Sequence, residues 1–193
     1  MTQNAQDADT GQDDVVALLM RQHGDIRNLF DEVERTTGDE RRDAFRRLVR
    51  LLAVHETAEE EVVHPAARRA FDGGEQAVAD RLEEERLAKE TLSRLDGMDP
   101  GDAAFLPKLL ELREAVTAHA RAEERYEFPQ LRRHLEPAKL ARLAKAVKAA
   151  EATAPTRPHP GTESAGKNMA LGPVAAVMDR TRDAVRRAMG RDG

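Results

Sequence analysis

The sequence predicts an all-α protein: an up-down-up-down antiparallel four-helix bundle with an extra short helix and a C-terminal tail helix. Charged residues make up 35% of the 193-residue chain and aromatic residues only 3%. This balance is typical of helical bundles, because β-sandwiches and barrels rely more on aromatic and β-branched side chains. Four long stretches also carry apolar residues at helical spacing, separated by short breaks that contain Gly, Asp or Pro. Short loops between long helices favour antiparallel neighbours.

The four bundle helices are predicted within the first 135 residues, at 13–35, 39–71, 75–95 and 102–135. Asp72-Gly73-Gly74 ends the second helix. Asp102 is the predicted N-cap of the fourth helix, and Pro107 is predicted to end or kink a short leading turn.

The rest of the chain divides into three parts. A fifth, shorter helix begins near Pro137, which suits the first turn of a helix, and completes a domain over 13–151. Residues 152–172 form a predicted Pro-rich linker. An amphipathic C-terminal helix is predicted over 173–190, and it has three alternatives: docking on the bundle, binding a protein partner, or lying on a membrane surface.

Composition excludes several classes of site and partner. The chain has no cysteine, so disulfides, thiolate metal sites and cysteine nucleophiles are ruled out. It has no apolar run near 18 residues, and we expect no transmembrane segment. The polar, acidic N-terminus argues against a secretory signal, so a cytoplasmic location is expected. Residues 152–193 carry seven Lys/Arg against four Asp/Glu, which leaves a net charge of −8 on residues 1–151. No nucleic-acid partner is expected for so acidic a body.

An internal repeat carries the chemistry. Residues 55–65 (the first copy) and 119–129 (the second copy) both read His-x-x-x-Glu-Glu-x-x-x-(His/Phe)-Pro. A spacing of four puts His and the first Glu about 40° apart and about 6 Å along a helix, which suits chelation of one metal ion. Two such chelates on different helices suit a two-metal centre in the bundle core.

The alternative is that these residues form a solvated, Glu-rich surface. We test it by comparing the directions of the side chains around each helix axis, at about 100° per residue. His23 and the histidine of each copy lie in the middle of apolar faces, and Glu59 and Glu123 lie on the same faces. The apolar neighbours are Val16, Leu19, Ile26 and Phe30 for His23, Leu48, Leu51, Ala58 and Val62 for His55, and Leu112, Ala115, Val116 and Ala122 for His119. Unpaired burial of such groups costs several kcal/mol, so they must satisfy one another or bind metal.

The third predicted helix contains no histidine. Glu85 and Lys89 lie at the centre of its apolar face, whereas Glu83 and Glu84 point about 120° or more away. Glu85 is therefore the predicted inward carboxylate, as a metal ligand or bridge. The alternative is an ion pair with Lys89, which we place beside the site or at its rim.

This pattern resembles the hemerythrin-like (HHE cation-binding) family over residues 13–135. The resemblance rests on His23 and on the two His/Glu pairs, each followed by a second Glu and then a Pro. It implies a four-helix bundle around a non-haem diiron centre whose iron ligands are His23, His55, Glu59, His119 and Glu123. Oxygen-carrying members have histidine ligands on the third helix, where this chain offers Glu85, so reversible O2 carriage is not expected.

Three functional hypotheses follow. Three imidazoles and three carboxylates form a hard, anionic ligand set that favours ferric iron, although manganese accepts a similar set. The first hypothesis is a protein with two iron ions that reacts with O2, peroxide or NO, either by catalase-like or oxidase-like chemistry or as a redox or oxygen sensor. The second is a metal- or redox-sensing interaction module whose tail helix binds a protein partner. The third is a metal-free structural bundle.

Other polar residues near the repeat receive lesser roles. Tyr126, about 20° off the direction of His119, is either a packing residue or a gate, a hydrogen-bond donor to peroxide or an extra ligand. His64, about 180° from His55, is predicted to pack or cap. The remaining glutamates of the repeat are predicted to face solvent for the most part, with Glu56, Glu60 or Glu124 as acceptors for the ligand histidines.

Overall fold

The computed structural model describes residues 14–157 and 172–190. All elements of these residues are helical, which confirms the predicted fold class. The helices are α1 Val15–Arg35, α2 Gly38–Ala58, α3 His64–Ala70, α4 Gly74–Asp96, α5 Phe105–Ala122, α6 Phe128–His134, α7 Pro137–Glu151 and α8 Gly172–Ala188. The π-helical turn Glu59–Val63 joins α2 to α3, and the π-helical turn Glu123–Glu127 joins α5 to α6. In the bundle, α1 packs against α2 and α4 packs against α5.

Local sequence sets the helix ends. Asp14 caps α1, since its Oδ1 accepts a hydrogen bond from the Ala17 amide at 2.6 Å. The turn between α3 and α4 needs both of its glycines. Gly73 has a left-handed φ of 85°, and a Cβ on Gly74 would collide with the backbone oxygen of Ala67.

The fourth bundle helix begins later than predicted. Asp102 does not cap it; its Oδ1 accepts from the Ala104 amide at 2.9 Å within a preceding turn, and α5 starts at Phe105. Pro107 therefore lies in the first turn of α5, where an amide needs no intrahelical acceptor. It belongs to the start of the helix rather than to the end of a leading turn.

Two π-turns interrupt the second and fourth predicted helices, and each begins at the first Glu of a repeat copy. A π-turn contains one residue more than an α-turn, so the residues after it are rotated by about 100° from their α-helical directions. The side chains at the end of each copy therefore meet different neighbours from those that an uninterrupted helix predicts.

The buried core has two apolar clusters with a polar layer between them. One cluster contains Leu19 and Phe128, and the other contains Ile26 and Phe30. His23 lies between Leu19 and Ile26 on α1, and its ring stacks on Phe128 with centroids 5.7 Å apart. The apolar clusters thus enclose the layer that holds the predicted ligands.

The C-terminal part packs on one side of the bundle. α7 contacts α1, α2 and the first π-turn, and α8 contacts α7 and the same π-turn. Met178, Thr181 and Ala184 of α8 are buried, so the described residues show the docked arrangement among the three alternatives for the tail. Most of the predicted linker, residues 158–171, lies outside the described residues. None of the described helices has the length and hydrophobicity needed to cross a membrane.

Candidate metal centre

The six predicted ligands meet in one layer between α1, α2, α4 and α5. Glu59 and Glu123 are fully buried, Glu85, His23 and His55 nearly so, and the side chain of His119 is 12% exposed. Ligand atoms of His23, His55 and Glu59 lie within 4.8 Å of one another, and those of Glu59, Glu85 and His119 form a second such group.

Two carboxylates lie between these groups. Glu59 belongs to both. Glu123 places Oε2 3.4 Å from Nε2 of His23 and Oε1 3.5 Å from Nε2 of His119. One glutamate from each repeat copy is therefore in position to bridge two cations, whereas the sequence offered Glu85 as the possible bridge.

The outer nitrogen of each ligand histidine has an acceptor. Nδ1 of His23 lies 2.9 Å from Glu124, Nδ1 of His55 lies 2.8 Å from Oε1 of Gln22, and Nδ1 of His119 lies 3.0 Å from Glu84. Donation through Nδ1–H directs the lone pair of each Nε2 into the layer, which is the orientation that metal-binding histidines adopt. Glu124 was among the predicted acceptors, whereas Gln22 and Glu84 were not.

The electrostatics of the layer favour a cation. Burial and then the nearby His23 lower the pKa of His55 to about 3, so its ring is neutral and can donate a lone pair. Burial, followed by repulsion from Glu123 and Glu85, raises the pKa of Glu59 well above its usual value. Burial also raises the pKa of Glu123, but His119 and His23 outweigh it and lower that pKa to about 2. The carboxylates therefore compete for the limited positive charge inside the layer.

Unpaired atoms show that the residues fit a metal. Within residues 14–157, both oxygens of Glu59 and of Glu123, Oε2 of Glu85, and Nε2 of His23 and His119 are buried without a hydrogen-bond partner. Buried polar atoms are normally satisfied, and leaving so many without partners is costly. Cations among them would satisfy all of these atoms at once.

Lys89 adds a positive charge beside the layer. Its ammonium pairs with Glu60 and lies 4.0 Å from Glu56 and 3.9 Å from Oε2 of Glu85. The predicted Glu85–Lys89 contact is therefore present, but Glu60 is the nearer partner. The Nδ1 atoms of His23, His55 and His119 lie against Glu124, Gln22 and Glu84 rather than against the predicted acceptor Glu60. Burial raises the pKa of Glu60 to about 8 despite the attraction of Lys89.

Two residues at the ends of the repeat copies are more deeply involved than predicted. His64 is buried, and its Nε2 lies 2.6 Å from Oε1 of Glu85. Glu127, predicted to face solvent, is also buried, with Oε1 3.9 Å from Nδ1 of His64. In the sequence, only the His/Phe difference between the two copies sets His64 apart. That difference could not show that the side chain points inward, because its direction depends on the π-turn.

Tyr126 lies outside the centre. It is 66% exposed, and the guanidinium of Arg125 lies over its ring at 5.9 Å. This exposure supports neither the packing role nor the alternatives of gate, peroxide donor or extra ligand. The extra residue of the second π-turn rotates Tyr126 outward and brings Glu127 inward in its place.

A cavity of about 20 Å³ adjoins the layer. Its polar side is formed by His23, His55, His119 and Glu85, with Glu56, Arg27 and Thr117 also on its wall. The apolar side is formed by Ile26, Phe30, Leu52, Ala88, Val116 and Ala120. A space of this size holds about one water-sized molecule.

Comparisons with known proteins agree with this geometry. The family model described as the hemerythrin HHE cation-binding domain matches residues 14–131. A protein of Nostoc sp. named DNA nickase is 26% identical over 136 residues, which cover 70% of this chain and 37% of that protein. The crystal structure of a hemerythrin HHE cation-binding domain-containing protein from Mycobacterium kansasii superposes with a TM-score of 0.63. It is 19% identical and covers 91% of this chain and 98% of its own, a likeness that shows the fold.

Proposed function

This chain belongs to the hemerythrin HHE cation-binding family, and we propose that it binds two iron ions and reacts there with O2, peroxide or NO. The proposed ligands are His23, His55, Glu59, Glu85, His119 and Glu123. One observation carries the proposal: two three-residue groups share Glu59, and Glu123 reaches a histidine of each. Two histidine-carboxylate groups joined by two carboxylates suit a pair of cations better than one.

The donor set favours iron in its oxidised form. Three carboxylates bring three negative charges, which stabilise a trivalent cation more than a divalent one. Bound iron would supply electrons for the reaction and open coordination positions for a small ligand. Because the donors stabilise the oxidised metal, we infer irreversible oxidation in preference to reversible O2 carriage.

The protein residues around the centre select the ligand. The cavity of about 20 Å³ borders His23, His55, His119 and Glu85, and Ile26 and Phe30 line its apolar side. Such a small space favours a small inorganic ligand over a nucleotide or sugar. Lys89, 3.9 Å from Glu85, keeps positive charge at the edge of the anionic layer.

DNA nicking is not the activity that this site supports. The relative with that name is a longer protein, of which this chain spans 37%. In this chain the proposed ligands are buried, and the side chain of His119, at 12%, is the most exposed of those measured. A backbone phosphate of DNA cannot approach them through so small a cavity.

The test is metal content per chain by elemental analysis, with an absorption spectrum of the same sample. We expect about two irons per chain and charge-transfer bands in the near ultraviolet, followed by consumption of hydrogen peroxide or O2 in turnover assays. A matched H119A/E123A variant should lose both the iron and the spectrum. Two manganese ions would correct the metal, and no stoichiometric metal after anaerobic iron loading would leave a structural His/Glu network.

A second candidate function is metal- or redox-state sensing by the tail helix. One observation favours it: Glu61 lies on the same π-turn as Glu59, and Arg182 of α8 donates to both of its oxygens at 3.2 Å. Glu59 is only two residues from Glu61, so a shift of Glu59 on metal binding can reach the Glu61–Arg182 contact that holds α8. Hydrogen exchange of α8 in the metal-loaded and metal-free protein tests this candidate, because a sensor requires a difference in protection between the two.

A further inference from the structure

The third helix of the bundle contributes a carboxylate rather than an imidazole to the layer. Glu85 has three rotatable side-chain bonds, and fixing them in one arrangement has an entropic cost. If Glu85 is the one ligand from this helix, a contact with another side chain is needed to keep its carboxylate in one conformation. The chain must supply that restraint from a neighbouring element.

His64 is placed to supply it. It is 1% exposed at the start of α3, and Nε2 lies 2.6 Å from Oε1 of Glu85. Oε1 also lies 3.9 Å from Nε2 of His119, whereas Oε2 lies 3.9 Å from the ammonium of Lys89. If Nε2–H of His64 donates to Oε1, the hydrogen bond fixes the Glu85 oxygen that faces His119, and this oxygen keeps a second lone pair for a cation.

Glu127 faces the other side of the His64 ring. It comes from the second π-turn, is 3% exposed, and places Oε1 3.9 Å from Nδ1 of His64. Neither Glu127 oxygen nor Nδ1 of His64 has a hydrogen-bond partner within the described chain. An acceptor on this side favours the tautomer or charge state in which the ring donates towards both carboxylates.

The repeat shows that this is a specific feature of the first copy. Phe128 occupies the place of His64 in the second copy and stacks on His23 with centroids 5.7 Å apart. An apolar ring is therefore sufficient for packing at this position. At this position only the first copy has an imidazole, and that imidazole contacts Glu85.

We propose that His64 is a positioning residue that holds Glu85 as the third-helix ligand of the second metal, with Glu127 orienting His64 from behind. This inference rests on the proposed two-iron function. It adds to the six proposed ligands two residues from the ends of the repeat copies.

The experiment titrates the full-length protein anaerobically with Fe(II) and follows metal stoichiometry, the two dissociation constants and the absorption spectrum. In H64F, which installs the residue of the second copy, we expect the second iron to bind about 10- to 100-fold more weakly, the range for loss of an outer partner of a ligand. The first iron should keep its affinity. H64Q, whose amide retains a donor, should recover most of the loss, and H134F is the matched control because His134 is exposed.

A double variant separates positioning from direct ligation. If His64 acts through Glu85, H64F should cause no further loss in an E85Q background. Additive losses, or wild-type affinities for both irons in H64F, would overturn the proposal. Should H64F fail to fold, H64N replaces it, because its amide is too short to reach Glu85. Absence of iron from the wild-type protein would instead overturn the proposed function and this inference with it.

Discussion

The two copies of the repeat reach the metal layer in the same way, but their outer faces differ. In both copies a histidine and the glutamate four residues later point inward, and a π-turn begins at that glutamate. Behind the first copy, α7 and α8 cover the π-turn. Val62 is buried there, whereas Tyr126 at the matching place in the second copy is 66% exposed.

The difference shows what a short motif determines. The His/Glu spacing determines which residues face the layer, because the π-turn begins only at the glutamate and the direction from the histidine to the glutamate is still that of the α-helix. The positions after the turn depend on which elements pack outside it. Glu61 thus pairs with Arg182, while the matching Arg125 is exposed and lies against Tyr126.

The largest expected effect tests whether the two copies are equivalent as bridges. Replacing either bridging glutamate by glutamine, in E59Q or E123Q, should weaken binding of both metals by about 100-fold or more, since ligands matter at least as much as their outer partners. Isothermal titration with Fe(II) and elemental analysis measure this. H55A and H119A should instead affect mainly one metal each.

The matched control for these variants is E114Q, because Glu114 is an exposed glutamate on α5. It should bind both metals as the wild type does. Retention of one metal at full affinity in E59Q would show that Glu59 serves a single ion and that the copies are not equivalent.

The next largest effect is a difference between the two copies in the stability of the metal-free protein. Burial raises the pKa of Glu59, so glutamine resembles its protonated form and E59Q should change the free energy of unfolding by less than about 1 kcal/mol. Burial opposes ionisation of Glu123 as well, but His119 and His23 hold its pKa near 2. Glu123 and Glu84 in turn raise the pKa of His119 to about 9 despite its burial, so E123Q removes one buried partner of a charged ring and should cost about 3 kcal/mol, the lower range for breaking a buried pair.

Urea unfolding of chelator-treated samples at pH 7 gives both values. Equal losses in E59Q and E123Q would contradict the assigned difference in ionisation. The metal-loaded proteins should not be used for this comparison, because metal bound only to the folded state adds its own stability.

Most of the fold could be predicted from periodicity, because long amphipathic helices with glycine breaks allow few arrangements. The inward positions of His23, His55 and His119 also followed from direction along a single regular helix. Glu85 could be chosen over Glu83 and Glu84 for the same reason. These predictions concern residues that precede any irregularity in their helix.

The failures lie after the two π-turns. Regular helical periodicity puts Tyr126 about 20° from the direction of His119 and Glu127 towards solvent, whereas Tyr126 is exposed and Glu127 is buried. His64 was predicted to pack or cap, but it contacts Glu85. A π-turn depends on tertiary packing and on the residues it must bring inward, so regular periodicity cannot locate it. Gln22 and Glu84, the acceptors for His55 and His119, come from other helices. The residue pattern of a single helix cannot predict such contacts between helices.

The smallest expected effect concerns the covered face of the first copy. Arg182 donates to both oxygens of Glu61, and both side chains are partly buried. R182Q should lower stability by about 1 kcal/mol, a fall in Tm of roughly 2–4 °C for a chain of this size, and should speed amide exchange in α8. R125Q in the second copy and R180Q on the exposed side of α8 are the matched controls and should change neither.

Exchange in the two metal states then decides what the covered face does. If metal binding at Glu59 stabilises the π-turn, α8 should exchange more slowly in the loaded wild type than in the metal-free protein, by linkage. R182Q should abolish that difference while both irons still bind. Equal α8 exchange in both wild-type states would mean that α8 only covers the turn, and the asymmetry between the copies would then be one of packing alone.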